Sequence, residues 1–219
     1  MEFALLGYAD DGKAVTDSTH LDNGLGGALL LELALWERID IADKKVVVRD
    51  SSPTGDPLID QGLARIVADG RARKPGYWVS KFAKDTRGLV LDRLVADGVL
   101  QAEHGSFLGV FPRTKYPAPG GVEPSAEADA RRRMRSAVSA SGAVDARTAA
   151  LCALVAATGL DRKVFADLDR PRVKARLKEI GEGAWAAAAV KKAIQDVQAA
   201  VTASVIAATA ASAAATSSY

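Results

Sequence analysis

Between Gly24 and Glu37 the chain is apolar almost all round, interrupted inside only by Glu32. Such a run predicts a central helix buried on every side, with Asp22 or Asn23 as its N-cap. Ile39-Asp40-Ile41 and Val46-Val47-Val48 flank Ala42-Asp43-Lys44-Lys45, the pattern of a short hairpin. In Pro53-Thr54-Gly55-Asp56-Pro57, Asp56 is placed to cap a helix whose first position is Pro57. That helix, running to about Val67, turns Leu58, Ile59, Leu63 and Ile66 inward. A short helix over residues 77–83 leads into a second one ending at Asp97, with Gly98 as C-cap. Residues 99–102 and 107–111 read as two further strands joined through 103–106. Residues 112–125 are rich in Pro and Gly and read as a surface connection. Helices follow over 128–138, 146–158, 170–180 and 184 to about 208. The fold class expected is mainly α: one helical domain over residues 1–210 with two β-hairpins, then a disordered Ala/Ser/Thr tail over 211–219.

Composition agrees with this. A chain of 219 residues with 48% hydrophobic and 26% charged content buries a substantial core. The net charge of +2 is too small to indicate general nucleic-acid binding, but the charge is unevenly spread. Residues 1–70 carry 6 basic and 13 acidic side chains, a net of −7. Residues 71–115 carry 9 against 4, a net of +5, so an anionic partner is sought there. The N-terminus lacks the basic flank and apolar length of a signal peptide. No stretch reaches the roughly 18 uninterrupted apolar residues of a membrane span.

Candidate chemistry is sparse. Cys152, the one cysteine, lies in an apolar run and reads as a buried, inert thiol. His20 and His104 show no metal-ligand or triad spacing, and Asp10-Asp11-Gly12 reads as a turn. No glycine-rich phosphate loop is present. The residues give no catalytic group, metal or cofactor. The run Arg131-Arg132-Arg133-Met134-Arg135 reads as a solvated helix face, with Glu127 placed to pair with Arg131.

Four segments in order carry a resemblance. They are Gly24-Leu25-Gly26-Gly27 with Leu31-Glu32-Leu33-Ala34-Leu35; Pro53-Thr54-Gly55-Asp56 with Leu58 and Asp60; Arg93-Leu94-Val95 with Gly98-Val99-Leu100 and Phe107-Leu108; and Asp145-Ala146-Arg147 with Leu151-Cys152-Ala153-Leu154. Together they resemble the Golgi phosphoprotein 3 family over roughly residues 3–165. The resemblance implies a mostly helical domain with a projecting β-hairpin, no enzymatic activity, and binding to phosphatidylinositol 4-phosphate at a membrane surface. It also implies self-association through the hairpin and contact with client membrane-protein tails. The location implied is cytoplasmic and peripheral to membranes: Golgi in a eukaryote, cytoplasm in a bacterium, whose usage the Ala, Arg and Asp richness suggests.

The family's two basic pocket positions fall on Lys84 and Arg87. Its motif arginine falls on Gly26 and its tryptophan near Asp17. Lys84 and Arg87 are three apart, and Lys81 extends them by another turn, so on one helix they form a stripe able to hold a phosphate. A helix start near residues 85–86 adds backbone N–H groups. Phe107, Leu108, Val110 and Phe111 are the candidate surface for membrane contact or self-association. The partner expected is an anionic phospholipid and not nucleic acid. The alternative reading is a winged-helix DNA-binding regulator, with Arg87 and Arg93 on its second helix.

Overall fold

A five-residue helix, α1 (Glu2–Leu6), buries Phe3, Leu5 and Leu6 before the chain turns into α2 (Ser18–Leu35). The computed structural model describes residues 1–107, 111–182 and 188–216. The N-cap of α2 is Asp17, whose carboxylate accepts from the His20 backbone N–H at 3.1 Å. The helix therefore starts well before its apolar run, and Asp22 and Asn23 lie inside it rather than capping it. Strands β1 (Ile39–Ala42) and β2 (Lys45–Val48) pair antiparallel, Ile39 opposite Val48 and Ala42 opposite Lys45, as the pattern predicts. Asp43 and Lys44 between them have φ of 47° and 58°, the two left-handed residues of a type I′ turn.

Asp56 caps α3 (Pro57–Asp69) by accepting from the N–H groups of Leu58 and Ile59. Ile59, Leu63 and Ile66 are buried as expected, and Leu58 packs partly buried against the core. Then come α4 (Pro75–Phe82) and α5 (Thr86–Ala96). Gly98, with φ of 70°, lets the chain reverse, and the N–H groups of Val99 and Leu100 both donate to the Leu94 carbonyl. Residues 99–102 thus terminate α5 instead of forming a strand, and Leu100 is buried by that reversal.

The second hairpin is displaced accordingly. Its strands are β3 (Glu103–Phe107) and β4 (Phe111–Lys115), with Glu103 opposite Lys115 and Phe107 opposite Phe111. Phe107 and Phe111 are partners across the ladder, not members of one strand, and Leu108 and Val110 lie outside the described residues. The expected connection over 112–125 contains most of β4 and a single 3-10 turn at Pro119–Gly121.

The remaining elements are α6 (Ser125–Ser139), α7 (Ala146–Ala157), the short α8 (Asp161–Val164), α9 (Arg170–Glu182) and α10 (Ala188–Thr216). Helix α10 thus carries on through most of the stretch expected to be a disordered tail. Mainly helical structure with two small antiparallel hairpins is the class expected.

Helix α2 is the axis of the packing and touches α1, α3, α4, α5, α7 and α10. Its glycines set how close these approach. A Cβ on Gly26 would stand 2.5 Å from the Val79 carbonyl oxygen of α4 and 3.0 Å from the Ala83 nitrogen. On Gly27 it would stand 2.5 Å from Val201 of α10 and 3.0 Å from Leu154 of α7. Cys152 is buried in α7, and burial pushes its thiol up to about 12.

The arginine run on α6 is not merely a solvated face. Arg131 binds Glu127 at 2.6 Å and Glu123 at 3.0 Å, Arg132 binds Asp129, and Arg133 reaches Asp129, Thr148 and Glu2. Arg135 grips Asp167 in the link between α8 and α9, and that hydrogen bond pulls the Asp167 carboxyl down to about 2. Arg133 thus connects α6 to the start of the chain and Arg135 connects it to the segment after α8, while Arg131 and Arg132 pair locally.

The approach at Gly26 makes one substitution diagnostic. Gly26→Ala puts a methyl group against backbone atoms, which cannot swing aside, and is expected to cost about 1–3 kcal/mol despite alanine's better helix propensity. Chemical denaturation measures this; a variant as stable as the unaltered chain would mean that α2 and α4 are further apart.

Candidate functional site

Lys74 is the N-cap of α4 and Pro75, which has no N–H, its first residue; no side chain caps this helix, and the Tyr77 N–H turns back to the Lys74 carbonyl at 3.0 Å. Beside this helix start the first turns of α2, the tip of the β1–β2 turn and the middle of α10 enclose a groove of about 1180 Å³. Four basic residues line it, Lys44, Arg73, Lys74 and Lys84, against two acids, Asp22 and Asp196. Gly76, Ala200 and Ala203 add small apolar wall.

The positions of these cations are fixed by backbone ties. The Val46 N–H donates to the Arg73 carbonyl at 2.7 Å, which locks the β1–β2 hairpin to the segment entering α4. Lys192 on α10 donates from Nζ to the Ile41 carbonyl at 2.8 Å and holds the same hairpin from the other side. The type I′ turn then carries Lys44 to the groove. Arg73 is partly neutralised, its Nε 3.1 Å from Asp69 and its guanidinium 4.8 Å from the Tyr77 ring centre. Lys44, Lys74 and Lys84 are exposed and have no ion-pair partner among the described residues.

The three basic residues singled out by spacing do not share a helix face, because α4 ends at Phe82 and α5 begins at Thr86. Lys81 turns away from the groove. Its ammonium sits 5.0 Å from the Trp78 ring centre, 5.5 Å from that of Tyr77 and 3.8 Å from Asp69. Lys84, in the link between the two helices, lines the groove. Arg87 stands in the first turn of α5, its Nε 3.0 Å from Asp22, and reaches the groove through that carboxylate. Burial pushes the Asp22 carboxyl up, with the Arg87 guanidinium opposing. The helix start expected near residues 85–86 is present, although the Asp85 carboxylate is held by Arg65 at 2.9 Å instead of capping.

The two positions at which this chain departs from the family pattern have structural roles. Gly26 is the contact point of α2 with α4, where no side chain fits. Asp17 caps α2 and lies 2.6 Å from Nδ1 of His20. Spacing had no means of finding Lys44, Arg73, Lys74 or Asp196, which three separate segments bring together. The only available signal was the basic stretch 71–74 directly before a proline at a helix start.

Among the described residues, no group of three His, Cys, Asp or Glu side chains is placed to hold a metal ion. None of their helices is long and apolar enough to cross a membrane. The family model for Golgi phosphoprotein 3 (GPP34) matches residues 1–197, a span that takes in every charged residue of the groove, Asp196 included. On that match, the chain belongs to the Golgi phosphoprotein 3 (GPP34) family.

Proposed function

We propose that this protein is a non-enzymatic, membrane-peripheral adaptor that binds an anionic lipid headgroup in the groove beside α4. The observation that carries this reading is the convergence of Lys44, Lys74 and Lys84, none with an acidic partner among the described residues, beside the uncapped start of α4. Family membership supports the same reading. A phosphate placed there meets three ammonium groups beside the positive end of the α4 dipole. Arg87 is its fourth cation once the phosphate competes with Asp22 for the guanidinium fork.

Specificity in this reading is coarse. Gly26 cannot supply a second guanidinium, and Asp17 offers a cap in place of an aromatic wall. The lysines act as point charges, which attract any phosphate without fixing its orientation.

Three measurements test the proposal. Lys84→Ala combined with Arg87→Ala is expected to shift stability by no more than about 1 kcal/mol, since both side chains are surface groups. It should largely abolish co-flotation with vesicles containing phosphatidylglycerol, whereas Asp22→Asn, which releases Arg87, should strengthen it. Retention of binding by the double variant would remove Lys84 and Arg87 from the site. Vesicles carrying phosphatidylinositol 4-phosphate should bind less than about tenfold better than phosphatidylglycerol vesicles of equal charge, the equivalent of one modest contact. A sharper preference would mean that other residues build a stereospecific pocket. Self-association through β3–β4 belongs to the same proposal: Phe107→Ser with Phe111→Ser should lower the solution mass and leave the melting temperature unchanged, and loss of folding would assign the rings to the core.

A further inference from the structure

A second groove, of about 830 Å³, runs along the other side of α10, between it and α9. Arg170, Lys174 and Lys178 stand along it at one-turn intervals on α9, a row about 12 Å long, and Arg162 of α8 joins them. Arg162, Arg170 and Lys174 have no ion-pair partner among the described residues, and Lys178 has only a 4.0 Å contact with Glu182. The contrast with α6, where every arginine grips a carboxylate, is sharp. Asp161 and Glu182 also line this groove, which leaves it a net of two positive charges.

The two grooves lie on either flank of α10. Asp196, Ala200 and Ser204 of α10 face the first, and Gln195, Ala199 and Thr202 face the second. Ala203 lines both, so the exposed crest of α10 is the ridge that separates them. Ile206, which lines the second groove, is 60% exposed there. From this we infer that the α10 crest, with cations on each flank, is the face laid against an anionic bilayer. The α9 row is thus a second, non-specific lipid-contact surface. The inference rests on the membrane reading above and extends it to residues outside the headgroup groove. An acidic peptide lying in the α9 groove would satisfy the charges of one flank only, whereas a charged sheet laid on the crest meets those of both flanks and covers Ile206.

The test uses vesicles of equimolar phosphatidylcholine and phosphatidylglycerol. Arg170→Ala with Lys174→Ala should weaken partitioning roughly tenfold or more, since each basic side chain at an anionic surface contributes about that order. Arg132→Ala with Arg172→Ala removes the same formal charge from other faces and should leave partitioning within about twofold. A fluorophore on the Ile206→Cys variant should shift to the blue on vesicle addition, and with Cys152 buried the label goes to one site. If the unaltered chain binds these vesicles while the Arg170/Lys174 variant binds equally well, or the fluorophore does not shift, the inference fails and the headgroup reading stands. Binding that falls equally in both double variants would reduce the effect to net charge and also overturn it. No binding by the unaltered chain overturns both.

Discussion

A helix with almost no solvent face must be covered on all sides, and α2 recruits six other helices to do so. Each fully buried leucine among Leu21, Leu25, Leu30, Leu31 and Leu33 contributes about 1.5–3 kcal/mol relative to exposure. That sum is available only if the neighbours come close, which is what the glycines on α2 permit. The position of α4 against Gly26, and of α10 against Gly27, follows from this one demand. The first groove is the space left between α4, α10 and the start of α2. It is a by-product of how the core is closed.

The same demand accounts for the missing arginine. A side chain at residue 26 could point to a phosphate only by pushing α4 off α2, so close packing and a guanidinium fork exclude each other at that position. The basic residues of α6 and those of the two grooves differ in their partners. Those on α6 are consumed in ties to Glu2, Asp129 and Asp167, where they hold segments together. Lys44, Lys74 and Lys84 at the first groove and Arg162, Arg170 and Lys174 at the second are left without carboxylates among the described residues.

Much of the fold was legible in the sequence where a local signal coincided with burial. Asp56-Pro57 fixed the start of α3, and the alternation around Asp43-Lys44 fixed the first hairpin. The start of α2 was misread because Ser18, Thr19 and Asp22 are polar, although Asp17 is as good a cap as any. The second hairpin was misplaced for a related reason. Val99-Leu100 look like a strand but are apolar because they close α5 against the core, while residues 103–106 are exposed and so carry no hydrophobic alternation. Of the groove's lining, spacing points to Lys84 alone; Lys81 and Lys84 share no helix, and neither Lys44, Lys74 nor Asp196 is marked by it. Their proximity is tertiary, and no spacing along the chain encodes it.

The first groove draws its charged residues from as far apart as Lys44 and Asp196, and its last wall is α10. Contacts at such sequence separation close large loops and form late in folding. A nascent chain therefore has no such groove until α10 docks. The groove is a property of the finished fold, which an incomplete chain lacks.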